Sequence, residues 1–423
     1  MMICGLRRML DTTKNRFIHY PYVFNIKFKK CLRKLHTNAS KSRETELVKE
    51  LKAKIKFSGP ITVAEYMKEV LSHPLVGYYM KKDVFGLEGD FITSPEISQI
   101  FGELIGIWFY ERWLYNGSPR DIQFVELGPG RGTLISDILR VFARLGRISE
   151  HLSLHLVEIS PAMREMQKKI LCISDQKQDV PMNSNTTKDG IPVTWHHDIS
   201  DVPKGCSFYL AHEFFDALPI HEFQRTRHGW REVMVDVDED GPHHLKFCLA
   251  PSNTPASVLL PKGKDLKADK IEIRPQAQVI VEEMAQNIKK HGGSSLIVDY
   301  GDVDSERNTL RAFQNHQLVH PLFEPGHSDL TSNVDFSALK EIFSQYKVST
   351  FGPVRQQDFL KAMGIDVRKQ VLLKKASVEQ VTNIETAYRM LTDDNEMGNC
   401  FKFFAGTGGS EKPLGFKTVV LRS

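Results

Sequence analysis

The chain has no apolar run that approaches the roughly 20 residues needed to cross a bilayer as a helix. Its six cysteines (Cys4, Cys31, Cys172, Cys206, Cys248, Cys400) stand apart, with no Cys-x-x-Cys spacing. That excludes a disulfide frame and a cysteine zinc site, and fits thiols in a reducing compartment. An excess of basic charge is also missing once the first 39 residues are set aside. Those 39 hold nine basic residues and a single acid, Asp11, which leaves 47 basic against 51 acidic residues over the other 384. The bulk of the chain therefore lacks the charge of a nucleic-acid binder. No internal repeat is visible. What remains is a 423-residue chain with 41% hydrophobic and 26% charged residues, the balance of a globular protein of one large or two ordinary domains.

The basic leader carries Leu6, Leu10, Phe17 and Ile18 among its arginines and lysines. This is the composition of a mitochondrial transit peptide, expected over residues 1–40. A helical N-terminal or cap region follows over 41–120. Glu44 to Ile55 reads as an amphipathic helix. Thr62 caps a second helix, Val63 to Ser72, with Glu65 placed for a capping box. From Ser94-Pro95-Glu96-Ile97 a long helix is expected to about Tyr115.

Over 121–423 strand and helix alternate. Strands are expected at Gln123 to Leu127, Ser153 to Glu158, Val193 to Trp195, Ser207 to Ala211 and Ser295 to Tyr300, with helices at Thr133 to Gly146, Pro161 to Ile170 and Gln276 to Lys290. That rhythm belongs to an α/β fold with a doubly wound parallel sheet. An insertion at about 220–275 breaks it, with hairpin signals that predict an antiparallel β unit. The polar stretch Ser174 to Gly190 reads as a loop. Helices are expected near 335–345 and 356–364, a Gly/His/Pro loop at 320–333, and terminal strands near Phe401 to Phe404 and Thr418 to Leu421.

The chemistry concentrates at strand ends. Phe124-Val125-Glu126-Leu127 runs into Gly128-Pro129-Gly130-Arg131-Gly132, a strand-to-helix turn stripped of side chains. Main-chain N–H groups there can lie against a small ligand. The acid Glu126 before the loop favours a cationic or hydroxylated ligand over a bare pyrophosphate, and the glycine spacing departs from the dinucleotide pattern. S-adenosylmethionine fits, with its ammonium, sulfonium and ribose. Glu158 closes the next strand, where an acid can accept from both ribose hydroxyls. Asp198 follows a further short strand, where an adenine amino group would be met. Asp90 to Glu96 can close over the cofactor, and Ser94 is assigned to it. Glu126, Gly128, Pro129, Gly130, Gly132, Glu158, Asp198 and Ser94 are thus the candidate cofactor residues.

A fourth segment, His212-Glu213-Phe214-Phe215-Asp216, leaves a buried strand at the same sheet edge. Glu213 and Asp216 can hold a guanidinium in a fixed plane, and are the candidate catalytic residues. The plainer reading is a helix start with acids set favourably to its dipole. Asp299-Tyr300-Gly301 and His327-Ser328-Asp329 with Thr331 and Asp335 are weaker candidates for the substrate channel. The pairs His196-His197 and His243-His244 lack a third ligand at metal spacing, so no metal is expected.

Beyond these local readings, the stretches Gly89 to Glu103, Glu126 to Thr133, Leu156 to Pro161, His212 to Pro219, Val298 to Gly301, Asp329 to Phe336 and Phe359 to Ile365 resemble, in order, the MidA-like methyltransferases, and among them the mitochondrial complex I assembly-factor type that methylates arginine in proteins. The resemblance implies a class I methyltransferase fold with S-adenosyl-L-methionine as cofactor, and a mitochondrial matrix location. It also implies symmetric dimethylation of an arginine in a core subunit of respiratory complex I. Two other classes stay open: a non-catalytic assembly chaperone on the same fold, and a nicotinamide- or flavin-dependent oxidoreductase.

Overall fold

The computed structural model describes residues 42–81, 93–173, 184–261, 268–303 and 308–417. The transit-peptide expectation, residues 89–92 of the longest matching stretch and the strand expected at 418–421 lie outside them.

Among the described residues the central sheet has nine strands: β1 (Ile122–Leu127), β2 (Leu152–Val157), β3 (Ser184–Thr186), β4 (Pro192–His196), β5 (Cys206–His212), β6 (Gly293–Asp302), β7 (Val334–Asp335), β8 (Ser349–Arg355) and β9 (Phe401–Thr407). Their spatial order is β8-β9-β6-β5-β1-β2-β4-β3, with β7 added to the end of β6. The run β6-β5-β1-β2-β4 is parallel throughout, whereas β9 lies antiparallel to both β6 and β8. After β1 the chain moves to one side for β2 and β4, then returns to the other side for β5 and β6. The crevice above β1 and β5 is therefore a topological switch point, where ligands of such sheets bind.

Neighbouring residues of each strand point to opposite faces. Phe124, Leu156 and Phe208 enter one core beneath the helices Gln99–Tyr115 and Thr133–Leu145. Val125, Val157 and Tyr209 enter the other, beneath Pro275–His291 and Phe336–Gln345. Because both faces are covered, the strands read as nearly continuous apolar runs.

The insertion is antiparallel, as its hairpin signals suggested. His221–Thr226, Gly229–Val237, Leu245–Leu249 and Lys270–Ile273 form a second sheet. Its fifth strand comes from far away: Ile61 and Thr62 pair with Val235 and Met234. The helices Glu46–Ser58 and Val63–Ser72 pack on this sheet in a third core with Val233, Val235 and Leu245.

Four local expectations are corrected. The helix expected from Ser94 to Tyr115 is two helices, Ser94–Ile97 and Gln99–Tyr115. Ser98 is extended between them (φ −160°, ψ 133°), and its hydroxyl accepts from the Ile100 N–H as a fresh N-cap. The box at Thr62 is half formed: Thr62 Oγ1 accepts from Glu65 N at 3.0 Å, but the Glu65 carboxylate lies 2.6 Å from Lys54 Nζ. The polar stretch at 174–190 includes strand β3, an edge strand that can be polar because it hydrogen-bonds to β4 on one side only. The loop expected at 320–333 includes the strand Asp329–Thr331, paired with Arg311–Gln314.

Candidate active site

The carboxyl ends of β1, β2, β5 and β6 open into one cavity of about 1490 Å³. Such a volume exceeds the roughly 300–1,000 Å³ of a typical small-molecule site. It divides by chemistry into two halves.

Gly128 and Gly130 line the first half. Gly128 (φ 61°) and Gly130 (φ 53°) take left-handed backbone that L side chains avoid, and a Cβ on Gly128 would stand 2.9 Å from the Phe214 ring. Gly132 and Pro129 are buried behind the turn, where the Gly132 N–H closes it onto Pro129 O at 2.9 Å. Glu158 lines the cavity at the end of β2, and Asp198 stands on the far side at its exposed mouth. Burial raises the Glu158 carboxyl above its ordinary pKa, opposed by hydrogen bonds from Ser160 N (2.8 Å) and Gln167 Nε2 (3.2 Å). Hydrogen bonds from Ser200 N and Oγ hold the Asp198 carboxyl below its ordinary range.

Glu126 and Ser94, like Pro129 and Gly132, are not on the cavity wall. Glu126 is buried beneath the loop with Oε2 unpartnered, and desolvation pushes its pKa up to about 8. Ser94 is buried with its Oγ 3.5 Å from Gln356 Oε1 and 4.0 Å from Met397 Sδ; its neighbour Thr93 is the residue that lines the cavity. Glu96, two residues on, has a part sequence reading missed: Oε1 accepts from Thr133 Oγ1 at 2.6 Å, tying this segment to the helix that leaves the glycine turn. A cradle that a single Cβ would fill, with a carboxylate facing it across the crevice, suits a nucleoside with a cationic side arm.

The second half of the cavity is acidic. Glu213 follows β5 directly, in left-handed backbone (φ 52°), and lines the cavity. Its Oε1 is buried without a hydrogen bond. His212 Nε2 lies 3.4 Å away but is no cation, because burial lowers its pKa to about 3. Desolvation, followed by the carboxylates of Asp216, Asp299 and Asp329, drives the Glu213 pKa well above the ordinary range. Asp216 accepts from Thr331 Oγ1 at 2.6 Å; burial raises it too, and that hydrogen bond opposes the rise.

Asp299 does not line the channel. It is fully buried, and its Oδ2 accepts from the N–H groups of Phe215 (2.9 Å) and Asp216 (3.3 Å), clamping the turn that carries the two acids. Tyr300 and Gly301 do line the cavity, as do Asp329 and Thr331, while His327, Ser328 and Asp335 do not. Tyr79, Arg311 and Lys402 were not foreseen in the sequence. They reach the cavity from an N-terminal helix, from a strand outside the main sheet and from β9. The histidine pairs part company: His196 Nε2 meets His155 Nδ1 at 2.9 Å, whereas His197 faces the cavity. Among the described residues no group of three or more His, Cys, Asp or Glu is arranged to hold a metal ion, and no helix is long and apolar enough to cross a membrane.

The chain is similar to known proteins. Residues 104–354 match a family of S-adenosyl-L-methionine-dependent methyltransferases. The chain is 50% identical to the human protein arginine methyltransferase NDUFAF7, mitochondrial, across 85% of this chain and 83% of that one. It is 48% identical to the protein of the same name from Rattus norvegicus, across 89% and 88%. A crystal structure of a Burkholderia thailandensis protein bound to S-adenosyl-homocysteine superposes with a TM-score of 0.72 at 24% identity, covering 87% of this chain and 93% of that chain.

Proposed function

The chain belongs to the MidA-like family of S-adenosyl-L-methionine-dependent methyltransferases, and on that premise we propose that it methylates an arginine side chain of a protein in the mitochondrion. The observation that carries this reading is Glu213, a half-buried residue in the same cavity as the glycine turn, with its Oε1 buried without a donor and three further acids around it. A guanidinium supplies the charge and the planar donors that such a group lacks.

Bound S-adenosyl-L-methionine supplies a methyl group on a sulfonium, ready for a nucleophile in line with the carbon–sulfur bond. The chain's residues do the rest. The turn at Gly128 and Gly130 would hold the cofactor by main-chain contacts, and Glu158 would accept from its ribose hydroxyls. Phe214, against Gly128, excludes water from between the two halves. Glu213 and Asp216 grip the guanidinium and aim one nitrogen at the methyl carbon, so that much of the rate comes from orientation. Methylation leaves the guanidinium cationic and releases one proton. Glu213, held well above the ordinary carboxyl range, receives it.

In its finer form the reading is symmetric dimethylation of an arginine in a core subunit of complex I, in the matrix, after import directed by residues 1–40. The relatives' names, the seven matching stretches and the basic leader support it. The test is transfer of labelled methyl groups from S-adenosyl-L-methionine to isolated complex I core subunits, with mass spectrometry of the products. Symmetric dimethylarginine at one site is expected, and its loss with Glu213→Gln. Labelling of another residue type would refute the arginine reading. No labelling of any subunit would refute the complex I form.

A further inference from the structure

Among the described residues three lysine or arginine side chains line the cavity, and they differ: Lys68 is exposed, Lys402 buried and Arg311 half-buried. Lys402 Nζ donates to Asn399 O at 2.6 Å and lies 3.6 Å from Asp302. Arg311 has its guanidinium carbon 5.6 Å from the centre of the Tyr300 ring. Among the described residues, no carboxylate or carbonyl takes a hydrogen bond or ion pair from that guanidinium. By contrast Arg274, which does not line the cavity, donates to Leu218 O, Ser332 O and Asn333 O and is spent on holding loops.

The location of Arg311 is built. It heads the strand Arg311–Gln314 and is in register with Thr331, whose hydroxyl donates to Asp216. One strand pair therefore sets Arg311 beside the residues that would receive the target guanidinium. An arginine held among acids, 5.6 Å above a tyrosine ring and, among the described residues, with its fork of donors unpaired is a receptor for a planar anion. The cavity also has room beyond a cofactor, so a stretch of polypeptide can enter it.

We propose that Arg311 receives a carboxylate of the protein substrate close to the target arginine, so that the preferred site carries an aspartate or glutamate near the methylated residue. This rests on the arginine reading above. It adds a matching charge on each side: acids of the enzyme to the arginine, and an arginine of the enzyme to an acid. A carboxylate can also come from the methionine end of the cofactor, and the experiment separates the two sources.

The test uses the full-length matrix form, an arginine-centred peptide set with one glutamate, or its glutamine counterpart, at each flanking position, and S-adenosyl-homocysteine as the cofactor probe. The wild-type protein should favour glutamate over glutamine at one position or more by about tenfold in kcat/KM, the value of a charge-assisted hydrogen bond. Arg311→Gln should bring that ratio near one while S-adenosyl-homocysteine still binds, which also shows the variant is folded. Arg311→Lys should keep part of the preference. Equal methylation of all peptides by the wild-type protein would overturn the proposal and leave the arginine reading standing. A tenfold loss of S-adenosyl-homocysteine affinity in Arg311→Gln, without a peptide preference, would overturn it by assigning Arg311 to the cofactor. Methylation of no peptide would count against both readings.

Discussion

The side-chain amide of Gln167 donates to Glu158 Oε2 at 3.2 Å. The same nitrogen donates to Gly130 O at 2.7 Å, and its oxygen accepts from Trp195 Nε1 at 2.8 Å. One buried glutamine thus sets the distance between the glycine turn and the acid that faces it. Replacing it with leucine of similar size should leave the Trp195 N–H without its acceptor, each such loss costing about 1–3 kcal/mol. S-adenosyl-homocysteine affinity should fall about tenfold in Gln167→Leu, with a lowered Tm but a folded protein. Calorimetry and a melting curve read both.

Gly128→Ala places a methyl group 2.9 Å from Phe214 Cδ2 in backbone at φ 61°. Left-handed backbone alone costs an alanine about 1–2 kcal/mol, and Phe214 must shift as well. Cofactor binding should fail before folding does. A folded variant with unchanged S-adenosyl-homocysteine affinity would contradict the proposed cradle.

Glu213 connects substrate binding to protons. Desolvation and its acidic neighbours keep the carboxyl protonated well above its ordinary pKa. A guanidinium arriving beside it favours the carboxylate, so arginine peptides should bind with release of a proton and more tightly as pH rises towards that raised pKa. Calorimetry of peptide binding in buffers of different ionisation enthalpy should show the release. Glu213→Gln should abolish both the release and turnover, with S-adenosyl-homocysteine affinity within about twofold of wild type, since no cofactor charge depends on it.

Glu126 gives a stability test with a definite sign. Its pKa rises from an ordinary value of 4.5 to about 8 on folding. Below pH 4.5 the acid is protonated in folded and unfolded chains alike, and it costs nothing. Between pH 4.5 and 8 the unfolded chain gives up its proton while the folded chain keeps it. The folded state therefore loses up to about 5 kcal/mol as pH rises through this window, at 1.36 kcal/mol per unit. Glu126→Gln should match the wild-type Tm near pH 5 and exceed it by several degrees at pH 8 in the ligand-free protein.

Where the sequence was legible, a local signal and the packing agreed. Apolar runs such as Phe124-Val125 showed buried strands because both sheet faces are covered. Ser160 announced its helix, and its hydroxyl does accept from Met163 N. The turn Thr226 to Gly229 joins two strands as its residues suggested. The helix Val378–Thr392 was overlooked although Ser377 and Gln380 spell a capping box, which the structure shows closed in both directions. Other features had no local signal. Ile61 and Thr62 are a strand only because Val235 and Met234 lie beside them. Arg311 and Tyr79 belong to the cavity only because the chain folds back over it. Glu213 was legible as an acid at a strand end, but its lack of a hydrogen-bond donor on Oε1 depends on what the rest of the fold keeps away from it.

The long-range pairing of Ile61 with Val235, and of Thr62 with Met234, has a bearing on how the protein is made. Residues 61 and 62 emerge from the ribosome ahead of the partners they need about 170 residues later. Until those arrive, the helices Glu46–Ser58 and Val63–Ser72 have no sheet on which to bury Leu51, Ile55 and Met67. Closing so long a loop is slow relative to local helix formation. These two helices are thus among the last pieces to find their place, and the most exposed to a chaperone or a protease while they wait.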